Sequence, residues 1–175
     1  MGLRELTKEN HQRAERQKFV GILLSGKIDP KLYAQYLWNQ YFVYKALEEA
    51  ATAAGLFADL PNIERHKLIL EDFQELWADP NNPILCASTN NYIEHIKNIK
   101  NDNDKLMAHL YVRHMGDLSG GQMIARCVPG SKRYYKFDLD VNECKEKIRA
   151  KINDDMADEA KICFDYATEL FQELV

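Results

Sequence analysis

Three glycines fall within six residues in the segment Tyr111-Val112-Arg113-His114-Met115-Gly116-Asp117-Leu118-Ser119-Gly120-Gly121-Gln122, which otherwise has the composition of a helix. A glycine inside a helix costs about 1 kcal/mol relative to alanine, so three of them need a physical reason. Gly116 and Gly120 are four residues apart and share one helical face, which therefore carries no side chains. A flat molecule can approach such a face closely, and the helix can bend there.

Length and composition limit the class of protein. The 175 residues have the length of one domain, and 46% of them are hydrophobic, which allows a sizeable core. A net charge of −4 argues against nucleic-acid binding as the main task. The charge is uneven, since residues 45–104 hold 5 basic and 11 acidic residues and residues 126–151 hold 8 basic and 4 acidic ones. The basic segment is either an ordinary solvated surface or a rim for anionic groups and an acidic protein partner.

Cysteine usage and the chain ends bear on the compartment. The four cysteines form no CxxC pair and no signal peptide is evident, so we expect free thiols in a reducing cytoplasm. No apolar run reaches the ~20 residues that a membrane span needs. Leu6 stands where a myristoylation signal has Ser or Thr. We therefore expect a soluble, cytoplasmic chain without a membrane anchor, and a monomer rather than an oligomer.

Helical periodicity dominates the chain, and no segment alternates like a strand. The sequence therefore predicts an all-α protein, with a single domain over residues 1–175 and about seven helices. Asp29 and Pro30 form a typical helix start. The segment 132–137 is aromatic and basic and receives no assignment. The predicted helices cover residues 3–20, a helix from 29–30 onward, and residues 59–77, 87–99, 104–127, 141–153 and 156–174.

The run from Gly116 to Gln122 resembles the signature of the haem oxygenase family. Residues 6–15, Leu-Thr-Lys-Glu-Asn-His-Gln-Arg-Ala-Glu, resemble that family's haem-ligand segment, and the resemblance extends from Leu3 to Leu174. It implies one haem oxygenase domain, a multi-helix bundle with haem between the N-terminal (proximal) helix and a kinked, glycine-rich distal helix. It also implies an O2-dependent enzyme that cleaves haem at a meso carbon, expected to be α, to biliverdin, carbon monoxide and ferrous iron.

The resemblance gives His11 the role of axial ligand to the haem iron. Glu15 lies four residues further on the same helical face and can accept a hydrogen bond from the ring nitrogen that does not bind iron. Such a partner fixes the orientation of a ligating imidazole. The alternative is a surface His–Glu pair worth a few tenths of a kcal/mol.

The distal side follows from the same resemblance. Gly116 and Gly120 match the positions that contact haem, and Gly121 is assigned to the cofactor-binding set, although it looks more like a bending point. Asp117 matches an acid that holds a water network beside the bound oxygen. The alternative for the glycines is close helix–helix packing. Two further positions of the polar network complete the catalytic set, Tyr44 and Arg113, whose alternatives are a core tyrosine and a surface cation.

Haem carries two propionates, which need cations or hydroxyl donors. Tyr111 matches a propionate-contacting tyrosine of the family, and Arg4 a position that is usually basic. Lys145 and Arg149 are four residues apart on one helical face and match a basic pair near the C-terminus. The alternative for each of the three cations is a solvated surface charge.

The chain shows no flavin or nicotinamide motif, so electrons must come from an external donor, and the basic segment 126–151 makes an acidic ferredoxin plausible. Three other functions compete. A non-catalytic haem carrier would not need Asp117, a di-iron oxidase would need Glu-x-x-His pairs that are absent here, and an interaction module would leave the glycines unexplained. A soluble form suggests a bacterial, algal or viral source, and hence the cytoplasm, the plastid stroma or a host cytoplasm.

Overall fold

The computed structural model describes residues 1–175 and is helical throughout, as the sequence predicts, with no strand. A π-helical segment, Tyr111–Met115, joins α7 to α8, and two short 3-10 turns lie at Arg133–Tyr135 and Asp154–Met156. None of the helices combines the length and the apolar character needed to span a membrane. The ten α-helices are α1 (Leu3–Leu6), α2 (Lys8–Glu15), α3 (Lys18–Leu23), α4 (Pro30–Ala53), α5 (His66–Leu76), α6 (Ala87–Ile99), α7 (Asn103–Leu110), α8 (Gly116–Ala125), α9 (Val141–Arg149) and α10 (Ala157–Leu174).

The long helix α4 forms the centre of the molecule. It begins where the sequence predicts, because the carboxylate of Asp29 accepts a hydrogen bond of 2.9 Å from the backbone N–H of Lys31. It packs against α5, α6 and α7, and α10 covers α2, α3, α6 and α7. Helix α6 has the predicted bounds. The core between these helices is rich in tyrosine, and fully buried members include Tyr33, Tyr44 and Tyr92.

The N-terminal region differs from the single helix predicted over residues 3–20. It consists of α1, α2 and α3, which are separated at Thr7 and at Gln17. The hydroxyl of Thr7 donates to the backbone carbonyl of Leu3 at 2.9 Å, and Gln17 is extended, with ψ of 144°. Hydrogen bonds from side chains to the backbone compete with those of the helix. The apolar periodicity of the sequence continues across both breaks and therefore does not reveal them.

The helix predicted to begin at residue 59 begins instead at His66. Asn62 adopts a left-handed conformation with φ of +65°, which asparagine tolerates better than most residues and which interrupts a helix. Helix α9 also ends at Arg149, four residues before its predicted end. Both differences concern helix ends and leave the predicted set of long helices in place.

The glycine-rich helix is irregular just before its glycines. The sequence predicts a bend at the glycines themselves, whereas the structure has one π-helical stretch over Tyr111–Met115 and a regular α-helix from Gly116 onward. Short π-helical stretches inside α-helices often occur at functional sites. This irregularity changes the register of α8 relative to α7.

Candidate functional site

His11 lies on the surface of α2 with its ring held in a defined orientation. Its Nε2 lies 2.6 Å from a carboxylate oxygen of Glu15, and both side chains are more than half exposed. The ring stacks on Phe164 of α10, with 5.0 Å between ring centroids and 22° between the planes. Asn10 donates a 2.8 Å hydrogen bond to Asp165 and fixes α2 on α10. The imidazole is thus oriented, and one of its nitrogens remains available to a ligand.

The face of α8 that carries Gly116 and Gly120 is open. A Cβ atom added to either glycine would meet no atom within 4 Å beyond the neighbouring residues and the backbone of its own helix, and both residues are exposed. Met123, further along α8, is a large apolar side chain that is 60% exposed. Close helix–helix packing therefore does not explain these two glycines. The bare, partly apolar surface leaves room for a flat molecule.

Gly121 has a different environment from the other two glycines. A Cβ atom there would lie 2.9 Å from Cδ1 of Tyr135, so the absence of a side chain permits close packing inside the protein. Gly121 is buried, whereas Gly116 and Gly120 are not. Its bare side faces the core, and its assignment to the cofactor-binding set stays a prediction.

Asp117 is the buried acid of the site. The Tyr44 hydroxyl donates to its Oδ2 at 2.6 Å, and the Tyr134 hydroxyl donates to its Oδ1 at 3.2 Å. Burial raises the pKa of Asp117 to about 6, although both tyrosines act to lower it. A carboxyl group with such a pKa can hold or release a proton near neutral pH. The structure thus brings together Tyr44 and Asp117, two residues of the predicted catalytic set.

Tyr134 was missed by the sequence reasoning, because it lies in the unassigned segment 132–137. That segment folds into a 3-10 turn after Lys132, which has φ of +60°. The buried carboxylate of Asp72 accepts the backbone N–H groups of Arg133 and Tyr134 at 3.0 and 2.9 Å and holds the turn in place. The run of aromatic residues was the only local signal, and it did not show which residue reaches Asp117.

Arg113 is a buried cation, not the surface cation of the alternative interpretation. Its Nε donates to the Tyr92 hydroxyl at 3.0 Å, and its guanidinium lies 4.3 Å from the centroid of the Tyr92 ring. The same guanidinium lies 5.9 Å from the centroid of the Tyr44 ring. Arg113 is therefore buried in the core, where it contacts Tyr92 and lies near Tyr44.

A second buried carboxylate, for which the sequence predicts no role, lies near Tyr44. Glu48 accepts from His114 at 2.7 Å and from His66 at 2.6 Å, and also from the backbone N–H groups of Arg65 and His66. Although burial acts to raise its pKa, the two histidines bring the pKa of Glu48 down to about 2. The His114 ring lies 5.3 Å from the Tyr44 ring. This cluster fixes α4, α5 and the π-helical segment beside the site.

Three of the predicted propionate-binding residues lie within electrostatic range of one another. Burial raises the pKa of the Tyr111 hydroxyl, and the positive charges of Arg4 and Arg149 act to lower it. The three residues come from the π-helical segment, α1 and α9. Neither arginine forms an ion pair within the chain, and Lys145 lies one turn before Arg149 on α9. Two cations whose charges act on one hydroxyl suit a carboxylate ligand.

The basic segment 126–151 is only partly neutralised. Arg133 pairs with Asp72, and Lys147 pairs with Glu143, at 3.1 and 3.2 Å. Lys151 pairs with Asp59. The other five basic residues form no ion pair within the chain: Arg126, Lys132, Lys136, Lys145 and Arg149.

Comparison with known protein families gives one match across the chain. The family described as "Heme oxygenase" matches residues 1–173. A "Heme oxygenase" from Guillardia theta is 34% identical, over 98% of this chain and 84% of its own length. "Heme oxygenase 2" from Macaca fascicularis is 31% identical over 98% of this chain, which spans 64% of that longer relative.

The chain also superposes closely on solved structures. A heme oxygenase-1 from Synechocystis, solved in complex with heme, superposes with a TM-score of 0.84 at 28% identity, covering 98% of this chain and 90% of that one. The heme oxygenase from Leptospira interrogans gives a TM-score of 0.85 at 29% identity, covering 99% and 100%. The likeness includes the whole bundle, with the helices that carry His11 and Asp117.

Proposed function

The chain belongs to the haem oxygenase family, and we propose that it opens the haem ring at the α meso carbon to give biliverdin, carbon monoxide and ferrous iron. One observation carries the proposal. The face of α8 with Gly116 and Gly120 is bare and open, and the buried acid Asp117 lies in the same turn of the helix. A bare helix face accounts for close approach of a flat ligand, and the acid accounts for chemistry beside it.

The residues present fit haem at two places, the face that would meet His11 and the edge that carries the propionates. His11 would hold the haem iron through one ring nitrogen, while Glu15 accepts from the other nitrogen and keeps the imidazole oriented. Arg4, Tyr111 and Arg149 form a cationic and hydroxyl cluster for the propionates, and Lys145 extends it. Stacking on Phe164 limits rotation of the His11 ring.

When bound, haem supplies the iron that binds O2 and the meso carbon that is oxidised. Because Gly116 and Gly120 carry no side chains, the backbone of α8 could approach a bound haem closely. Asp117 would hold or release a proton beside the bound haem, because its raised pKa of about 6 lies near neutral pH. Tyr44 and Tyr134 keep the carboxylate in one position by donating to its two oxygens. General acid catalysis by a positioned group of this kind contributes about 10²–10⁴-fold in rate.

Electrons are proposed to come from an acidic ferredoxin that docks on the basic segment. Three cations of that segment have no ion-pair partner within the chain and no role at the propionates, and they are available to an acidic surface: Arg126, Lys132 and Lys136. Exposed charges are screened by salt, with a Debye length of about 10 Å at 0.1 M. Ferredoxin-driven turnover should therefore slow as salt is raised, while turnover with a small uncharged reductant should not. Salt-independent turnover with ferredoxin would contradict the electrostatic docking.

The product tests the proposal. We expect a single turnover of the haem complex with reductant and O2, followed by pigment extraction, to yield the α isomer of biliverdin. Another isomer would contradict the assignment of the α carbon but not the family chemistry. A stable complex with O2 and no bilin under any reductant would favour the haem carrier, which shares His11 and the propionate cluster but has no use for Asp117.

A further inference from the structure

A second group of ionisable side chains, outside the set assigned to haem, lies where three helices meet. His95 comes from α6, His109 from α7 and Glu159 from α10. His109 and Glu159 are buried, and His95 is half-buried. The two imidazole nitrogens and the carboxylate oxygen all lie within 4.8 Å of one another. Three side chains that are far apart in sequence therefore present their donor atoms to one point.

The donor atoms of the two histidines converge on one carboxylate oxygen. Nε2 of His95 and Nε2 of His109 lie 2.6 and 2.7 Å from the same oxygen, Oε2 of Glu159, and Oε1 has no hydrogen-bond partner. Two imidazoles and one carboxylate are donors that suit ions such as Zn²⁺ and Fe²⁺. We propose that His95, His109 and Glu159 form a binding site for a divalent transition-metal ion, separate from the haem iron.

His109 is already oriented as metal-binding histidines are. Its Nδ1 lies 2.8 Å from the Tyr92 hydroxyl, which in turn accepts from Nε of Arg113 at 3.0 Å. A hydrogen-bond partner on the remote nitrogen fixes the ring orientation and the tautomer of a ligating imidazole. The orientation directs Nε2 at Glu159 before any ion binds.

The site has a route from solvent. His95 lines an open surface cavity together with three carboxylates, Glu94, Asp165 and Glu169. Carboxylates at the mouth of a cavity raise the local concentration of cations. An ion that enters there meets His95 first, and then the buried pair behind it.

A similar cluster elsewhere in the chain shows what distinguishes this one. Glu48 also contacts two histidines, His66 and His114, but each histidine contacts a different oxygen. Two backbone N–H groups, from Arg65 and His66, also donate to Glu48, so both oxygens are occupied by fixed donors. Glu159 has neither the second oxygen engaged nor any backbone donor. Only the Glu159 cluster can take up an ion without breaking backbone hydrogen bonds.

Binding requires a small expansion of the cluster. Ligands at 2.0–2.2 Å from a tetrahedral ion lie about 3.4 Å apart, which is more than the present separations of 2.6 and 2.7 Å. His95 is half-buried and borders the open cavity, so its ring can move outward. The ion replaces the ring protons that now point at Oε2 of Glu159.

The test is a calorimetric titration with Zn²⁺ after removal of metals with EDTA. The haem-loaded chain is used because haem engages His11, and a haem-free His11→Ala chain removes the exposed His11–Glu15 pair as a competing site without relying on haem. In both, we expect one ion per chain. His95→Asn and Glu159→Gln should each weaken binding by at least ~10-fold. The matched control, His66→Asn in the Glu48 cluster, should leave Zn²⁺ binding unchanged.

His95→Asn is the decisive variant, because it removes a half-buried ligand and leaves the buried Glu159–His109 hydrogen bond in place. Far-UV circular dichroism confirms that each variant retains its helices. Absence of Zn²⁺ binding by the parent chains would overturn the proposal. Binding that survives both His95→Asn and Glu159→Gln, or that His66→Asn abolishes, would overturn it as well.

Discussion

The proximal and distal sides of the site are built in opposite ways. His11 and Glu15 are four residues apart on one short helix, and both are more than half exposed. Asp117 is buried, and its partners Tyr44 and Tyr134 come from α4 and from a 3-10 turn. The proximal pair needs only a helix to form, whereas the distal network needs the complete fold. We therefore expect substitutions on the distal side to have large effects, and substitutions in the proximal pair to have little effect on the stability of the haem-free chain.

The largest expected effect is that of Asp117→Ala on turnover. Haem should still bind, because the axial ligand and the propionate cluster are untouched, but ring opening should slow by about 10²-fold or more. The measurement is the rate and yield of biliverdin in a single turnover. Asp104→Ala, which removes an exposed acid in α7, is the matched control and should behave as the parent. A normal yield from Asp117→Ala would remove this residue from the mechanism.

The burial of Asp117 should also make the unfolding free energy depend on pH. Its pKa is raised from 3.8 to about 6 in the folded chain, so the folded state retains this proton longer than the unfolded state. Its contribution to the unfolding free energy is therefore favourable below about pH 4 and is lost as the pH rises to about 6. The full loss is about 3 kcal/mol.

Asp117→Asn should abolish that loss. Urea unfolding of the haem-free parent and variant between pH 4 and 7 gives the difference in unfolding free energy, in which the other titrating groups, such as Glu48, cancel. The unfolding free energy of the variant should increase relative to that of the parent as the pH rises. A pH-independent difference would show that the carboxyl group is not desolvated as the structure indicates.

Replacing the three glycines by alanine should change the unfolding free energy of the haem-free chain in opposite directions. Gly116→Ala and Gly120→Ala place a methyl group in open space and should stabilise the haem-free chain by up to about 1 kcal/mol, since alanine favours a helix. Gly121→Ala brings a methyl group against Tyr135 and should destabilise it. Thermal unfolding of the haem-free variants measures both. Destabilisation by Gly120→Ala would mean that its face is packed and not open.

The smallest expected effect is that of Glu15→Gln. In the haem-free chain, loss of this exposed pair should cost less than about 0.5 kcal/mol. In the haem complex the same change should shift the optical spectrum of the ferric iron, because a carboxylate no longer polarises the imidazole. An unchanged spectrum would indicate that Glu15 does not contact the ligating His11. Gln12→Glu, a charge change on the same helix, serves as the control.

The sequence was sufficient where the determinants are local. Helix α6, the start of α4 at Asp29 and the His11–Glu15 pair follow from spacing along one helix. It was insufficient where a contact joins distant segments. The role of Tyr134 depends on a turn held by Asp72, which lies 62 residues earlier in the chain.

The same distinction applies to the buried charges. His66 and His114, which both contact Glu48, lie 18 and 66 residues after it in the chain, and no helical periodicity relates the three. Residue identity alone gives each of them an ordinary surface interpretation. Their burial is decided by the packing of α4 against α5 and the π-helical segment.

An optical titration with haemin, followed by reductant and air, shows whether the chain binds haem and then opens its ring. We expect one haem per chain with the spectrum of a histidine-ligated iron, and then loss of the Soret band with growth of the broad red absorption of biliverdin. His11→Ala should change the first spectrum, and Asp117→Ala should retain it but stop the second change. Failure of the parent chain to bind haem, or a haem complex that no reductant converts to a bilin, would contradict the account.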